Sequence, residues 1–203
     1  MAYSSTLEII QLADTIDLTV LATAKEELGI TDNSQDTKLT RWIHEISGQI
    51  GARINRVLGR ETVKETYSIG FCDASYALPL SRYPVAFIDS ISISSSAISA
   101  TDYRLDGNKG LLYRTIGSWS GMVEVQYQAG YELLGELPYD LERACLLLLR
   151  YRQSAGSRDP MLRSEAVPGV YEASYWIGSI PGTDSSMPPD VSELLRPYMD
   201  IAV

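Results

Sequence analysis

A chain of 203 residues with 45% apolar and 21% charged side chains has the make-up of an ordinary globular protein. That length can bury about 70% of the extended-chain surface, so neither disulfides nor metals are needed to make a core. The net charge is -9, from 26 acids against 17 bases, and no Lys/Arg cluster exceeds two or three neighbours, so nothing supplies the basic stripe on which tight, salt-dependent nucleic-acid binding rests. Acids outnumber bases by 8 to 6 in residues 1–60, 7 to 5 in residues 61–130 and 11 to 6 in residues 131–203, so the acidity leans C-terminal.

Residues 1–15 are weakly patterned and are expected to form a tail. The opening MAYSSTLEIIQLADTIDL has no basic n-region and no cleavable apolar stretch, so no signal peptide is expected. No apolar run approaches the ~20 residues of a membrane span. These features predict a soluble intracellular product with no membrane partner. A first helix is predicted over 18–28, capped by Asp17 or Thr15, apolar along Val20, Leu21, Ala24 and Leu28, and ended by Gly29.

The second predicted helix, over 36–58, carries the strongest local signal. With Leu39 at zero and about 100° per residue, Trp42, Ile43, Ile46, Ile50, Ile54 and Val57 fall within about 60° on either side. At about 1.5 Å per residue the helix would be roughly 33 Å long. Ser47, Gly48, Gly51 and Asn55 project elsewhere, beside His44. Helix-interior glycines cost up to ~1 kcal/mol each relative to alanine. They are either tolerated or mark a second packing face, where a neighbouring backbone comes close. Arg53 interrupts the apolar stripe and is expected to have a partner.

Residues 61–130 change period. Runs at 62–69, 83–94, 102–105, 111–114 and 122–129 are rich in β-branched and aromatic residues, and DYRLDGNKGLLYR reads as a hairpin. In FIDSISIS, Phe87 or Ile88 begins a face with Ile91 and Ile93, while Val123, Val125 and Tyr127 share one face of the last strand. A small antiparallel sheet is predicted. Helical period returns over 138–154, with Pro138 in the first turn, Asp140 and Glu142 at the positive end, and Arg150 and Arg152 at the negative end. Leu141, Ala144 to Leu149 and Tyr151 cover nearly the whole circumference, which predicts a helix surrounded by protein.

Five of the nine prolines lie in 156–189, which reads as an extended arm with one strand at 169–177. Asp190, with Glu193 three residues on, should cap a closing helix through Leu194, Leu195 and Arg196 that Pro197 stops. Two turns of helix are not stable alone and must dock. The residue pattern is thus α+β: a helical bundle around a long second helix, an inserted small antiparallel β-sheet and an extended C-terminal arm. The expected division is a tail over 1–15, a core over 16–155 with the insertion at 61–130, and the arm over 156–203.

Catalytic motifs fail on inspection. Gly117-Ser118-Trp119-Ser120-Gly121 places Trp where a nucleophile elbow needs Ser. There is no phosphate-cradling GxxxxGK[ST] and no GxGxxG. His44 is the one histidine and is read as structural, and Asp102 and Asp106 are expected to bond turn backbone. Cys72 and Cys145 form no framework: Cys145 reads as a small core residue, and reduced thiols are expected. No enzyme, cofactor or metal site is predicted. Thirteen Tyr and three Trp against two Phe point instead to interfaces, where an apolar body with a wet tip is useful. Four of these aromatics, Tyr171, Tyr175, Trp176 and Tyr198, lie in the C-terminal arm.

LTVLATAKEELGI and DTKLTRWIHEISGQIGARINRVLGR, then SRYPVAFIDSISI, WSGMVEVQYQAGYELLGELPYDLERACLLLLRYR, SEAVPGVYEASYWI and DVSELLRPY, together resemble the head–tail connector (adaptor) proteins of tailed bacteriophages and gene-transfer particles. The likeness spans about residues 16–200 and rests on packing and turn residues. It implies a non-enzymatic virion protein at the head–tail junction, present in the host cytoplasm during assembly. It implies a homo-oligomeric ring, typically of twelve copies, under the portal protein. The ring would extend the DNA channel, with DNA as passing cargo, and dock a stopper or tail-completion protein. The residues it makes candidates for subunit or portal contact are Gly48, Gly51, Arg53 and Asn55 on the second helix, and Tyr171, Tyr175, Trp176, Leu194, Leu195 and Tyr198 in the arm. The alternatives are a tail-completion or stopper component of the same particle, or a cytosolic protein-binding adaptor.

Overall fold

Alternation of apolar and polar residues builds the first of two units into which the chain divides in the computed structural model. The structure describes residues 3–133, 137–155, 164–167, 171–174 and 187–199, with backbone alone for Tyr3, 164–167 and 171–174. The units are Met1–Ile16 with Arg56–Glu136, and Asp17–Asn55 with Leu137–Val203.

The first unit is all antiparallel sheet. Its strands are β1 (Tyr3–Gln11), β2 (Glu61–Ile69), β3 (Ala77–Pro79), β4 (Val85–Ile93), β5 (Ser96–Ala97), β6 (Tyr103–Asp106), β7 (Leu111–Arg114) and β8 (Gly121–Ala129). One sheet has five strands in the order β1-β2-β8-β4-β5, and the other has three in the order β3-β7-β6. In the register of β2 on β8, Val63 lies opposite Tyr127 and Tyr67 opposite Val123. These four, with Val125, Leu78, Leu112 and Trp119, form a core almost closed to solvent. As the alternation predicts, Val123, Val125 and Tyr127 share the buried face. In β4 the alternation is broken by register shifts between Val85 and Phe87 and between Ile88 and Ser90, and Phe87 ends up exposed.

Two expectations are corrected here. Residues 3–11 are a strand, not a tail, and pair with β2 from Tyr3↔Ile69 to Gln11↔Thr62. Main-chain pairing orders this strand, because its side chains bury little: Leu7 is half-buried and Ser4 to Thr6 and Glu8 to Gln11 are exposed. The alternation signal was therefore weak. The β unit also extends beyond an insertion at 61–130, since it recruits β1, and within that range it holds two short strands, β3 and β5, that the expected runs did not include.

The second unit holds α1 (Leu21–Leu28), α2 (Asp36–Ile54), α3 (Tyr139–Ala155), the hairpin of β9 (Ser164–Val167) with β10 (Tyr171–Ser174), and α4 (Pro189–Leu195). α1 starts at Val20 with no side-chain cap, in place of the expected Asp17 or Thr15, and ends at Gly29 in the left-handed conformation (φ 67°). α2 buries Leu39, Trp42, Ile43, Ile46, Ile50 and Ile54 along one stripe. It stops at Asn55 (φ 52°), short of the expected residue 58, because Asn adopts the left-handed conformation and its N–H bonds the Gly51 carbonyl. α2 and α1 both pack on α3. α3 is one-sided, not apolar all round: Leu141, Ala144, Cys145, Leu146 and Leu149 are buried, Leu147 and Leu148 half-buried, Arg143 and Arg150 exposed. No helix among the described residues is long and apolar enough to cross a membrane.

The arm is corrected at both ends of its described part. The strand expected at 169–177 is β10, over Tyr171–Ser174, paired to β9; the rest of that range lies outside the described residues. α4 is capped at Pro188, not Asp190, with Pro189 supplying the fixed φ of a first helical turn. It packs on α3 and buries Val191 and Leu195 completely, so 187–199 belongs to the helical core and is no separate arm.

Candidate functional site

The described residues offer no arrangement for chemistry. Among the described residues, no group of three His, Cys, Asp or Glu is placed to hold a metal ion. Two open hollows of about 360 and 320 Å³ lie in the β unit, lined by Val85, Arg104 to Asn108, and by Arg60, Pro84 to Phe87, Gly130 and Tyr131. Neither pairs a nucleophile with a base. His44 is exposed on α2, with Nδ1 at 3.0 Å from the Asp17 carboxylate. Asp106 accepts the Lys109 N–H at 3.3 Å across the hairpin turn, as its turn position predicts. In the stretch that mimics a nucleophile elbow, Trp119 is a fully buried core residue whose indole N–H donates to the Leu112 carbonyl at 3.0 Å.

Burial sets the chemistry of both cysteines. Cys145 is closed off on α3, and its thiol is pushed up to about 12 by burial, which a hydrogen bond with Ser47 opposes. Cys72 is exposed in the short turn Phe71–Asp73. The small-residue side of α2 meets its own chain at Ser47, whose buried hydroxyl oxygen accepts the Leu18 N–H at 3.0 Å. Gly48 and Gly51 are left half-exposed and Asn55 exposed. Arg53 is exposed and has no ion-pair partner among the described residues, so the expected partner is absent there.

In the C-terminal segment the candidates separate. Leu195 is completely buried in its own chain and cannot serve as a surface contact, which corrects its place among the interface residues. An apolar side chain at that position of a two-turn helix is what fixes α4 to α3. Leu194 and Tyr198 are half-buried, and the Tyr198 hydroxyl lies 3.5 Å from the Asp140 carboxylate. The Tyr171 side chain and all of Tyr175 and Trp176 lie outside the described residues. Tyr151 donates to Asp190 at 2.7 Å, and that bond holds its phenol above the ordinary range, with burial adding to it. Glu27 on α1 receives Arg143 and Arg150 of α3 at 3.1 and 3.2 Å, and Arg152 reaches Glu45 on α2 at 2.6 Å while stacking over Trp42.

The sequence reading missed a buried acid and an apolar rim. On the inner face of β2, Glu65 is wholly buried, accepting the Tyr127 hydroxyl at 2.9 Å, the Ser81 N–H at 3.1 Å and the Ser81 hydroxyl. Strict alternation through Glu61, Val63, Glu65, Tyr67 and Ile69 was the signal that could have found it. At the end of the sheet where β2 finishes and β8 begins, Phe71 (88% exposed), Tyr76 and Ile116 stand in solvent. They sit on two loops tied together by main-chain bonds between Ser75 and Trp119 at 2.8 and 3.3 Å. Such exposed apolar side chains suit a contact surface, not a catalytic cleft.

The comparisons with known proteins agree with a structural role. The chain is similar in fold to a chain from the neck of an empty gene transfer agent (GTA) particle with C6 symmetry, at 17% identity and a TM-score of 0.61, covering 98% of this chain and 97% of that one. It is similar to one from the neck of the native GTA particle with C12 symmetry, at 16% identity and a TM-score of 0.57, covering 98% and 97%. A chain from the native GTA virion matches at 17% identity and a TM-score of 0.56, covering 97% and 96%. No curated protein matches. The model of a family described as head completion protein matches residues 17–159, which bears out the resemblance to head–tail connectors. The chain therefore belongs to the head completion protein family, a family of structural virion components and not of enzymes.

Proposed function

We propose that this chain is a head–tail connector subunit: it forms a ring, of twelve copies, seated on the portal protein at the neck of a virion, extends the DNA channel and docks a stopper or tail-completion protein. The observation that carries this reading is the fold likeness to neck proteins over 98% of the chain, through both units, together with the family match over residues 17–159. C6 and C12 symmetry of the similar necks supports a cyclic arrangement. In this reading α2 is the spine of the helical part. Gly48, Gly51, Arg53 and Asn55 on its solvent side contact the neighbouring subunit, and Leu194, Tyr198, Tyr171, Tyr175 and Trp176 serve the portal or the adjacent copy. The net charge of -9, repeated in every copy, suits a channel through which DNA slides without sticking.

Light scattering on a mixture with the cognate portal tests the reading. The expected result is a complex heavier than the portal by a whole ring of subunits. A chain that never joins the portal, alone or in particles, overturns it. Attachment only after another ring is in place assigns the chain to the stopper position instead.

A further inference from the structure

We propose that neighbouring copies in the ring join edge to edge, β1 of one chain adding to the open outer side of β4 in the next, so that the five-stranded sheets run on from subunit to subunit. The inference rests on the ring reading above and names the contact that builds the ring. β1 is the outermost strand, paired with β2 on one side only, and its other row of N–H and C=O groups has no strand partner among the described residues. Nine residues at about 3.3 Å each make an edge of roughly 30 Å. Edges of that length are normally blunted by Lys, Pro, strong bulges or a covering element. YSSTLEIIQ has no Lys and no Pro, a single charge at Glu8, and one irregularity confined to its end, between Ile9 and Gln11. Ile9, Ile10 and Leu12 are exposed along or just beyond it. Such an edge is built to receive a strand.

The opposite end of the same sheet, where β5 is outermost, is open along β4 only between Val85 and Ile91, the stretch that holds its two register shifts. β5 covers only Ser92 and Ile93 of β4, the Ile91 carbonyl is taken by Ile98, and the Val85 N–H by Gly107. Between them Ala86, Phe87, Asp89 and Ser90 are exposed. Strand direction selects the occupant. All pairings in the sheet are antiparallel, so β1 and β8 run one way and β2 and β4 the other. Setting β1 beside β4 of the next copy continues that alternation with every copy pointing the same way, which cyclic symmetry demands. Antiparallel pairing of β1 with another β1 instead produces a two-fold contact that closes at a dimer.

Cysteine pairs in a Cys72→Ser background test the contact. Ser4→Cys, Thr6→Cys or Glu8→Cys is combined with Ala86→Cys or Asp89→Cys, assembled on the cognate portal and oxidised. At least one combination is expected to give a covalent ladder of subunits, and the single variants none. Rings of full mass with no ladder from any combination overturn the edge pairing and leave the ring reading standing. Failure of the unmodified chain to form rings on the portal overturns both. If the variants do not assemble, hydrogen exchange on the unmodified protein decides. Outward amides of β1 should slow by about 10-fold or more on ring formation, and unchanged exchange overturns the proposal.

Discussion

Tyr127 donates its hydroxyl to the carboxylate of Glu65 at 2.9 Å inside the five-stranded sheet, and in turn accepts the Arg82 N–H at 3.2 Å. Burial, with the Glu65 charge beside it, pushes the phenol above its ordinary range, so it stays a donor at every physiological pH. Through Ser81 and Arg82 these two side chains hold the loop between β3 and β4. Tyr127→Phe removes one donor from a buried acid and should cost about 1–3 kcal/mol. Urea unfolding of the two proteins measures it. An unchanged midpoint would show that the bond carries no net stability.

Glu61, on the same face of β2, has its carboxyl raised by burial, with Arg82 opposing. The folded chain therefore holds this proton more tightly than the unfolded one. Stability from the group is full below the ordinary carboxylate value and is lost as pH rises through the raised value. Glu61→Gln should be at least as stable as the parent at about pH 7, and the difference should shift in the parent's favour toward about pH 4. Melting temperatures of both proteins across that range test the sign.

Leu195 and Val191 anchor α4 to α3, both without solvent contact. Leu195→Ala should cost about 2–5 kcal/mol. Tyr151→Phe removes the hydroxyl that donates to Asp190 and should cost about 1 kcal/mol or less. Ending the chain at residue 156 should likewise destabilise the helical unit, contrary to what an independent arm implies. Denaturant midpoints of the three variants rank these effects, and a truncated chain as stable as the parent would restore the arm.

Duplex DNA should not be retained at micromolar protein in ~150 mM salt, because phosphate neutralisation needs clustered bases. Here 17 bases are scattered among 26 acids, and many of them are committed to Glu27, Glu45, Glu61 and Glu124. Gel shift is sufficient; a tight complex at that salt contradicts the sliding-channel reading.

What was legible in the sequence was what a strong periodicity writes. The buried stripe of α2 and the face of Val123, Val125 and Tyr127 were read correctly because large apolar residues recur on one side of each element at its own period. β1 was missed because its order comes from main-chain bonds, which leave no pattern in side chains. The end of α2 was misplaced because the apolar stripe runs on to Val57 after the backbone has turned at Asn55. Asp190 looked like a cap, yet two prolines before it already fix the start of α4, freeing its carboxylate for Tyr151. Of the candidate contacts, surface glycines were nameable by type, but only the fold shows that Ser47 beside them is spent on Leu18 and that Leu195 is spent on the core.

The strands leading into and out of the β unit meet at two glycines. Gly130 adopts φ 100°, and a side chain there would strike the Gly59 carbonyl; one on Gly59 would strike Thr15 and Ala13. Gly59 also bridges to Tyr131. Three passages of chain are thus gathered at one spot with no room for a Cβ, while the loops at the far end of the sheet are free of that crowding. A side chain at either glycine would force these passages apart, whereas a change in the far loops leaves the pairing of β2 with β8 intact. Variation among related chains should therefore accumulate in the distant loops around Phe71 and Ile116, and spare the pair of glycines.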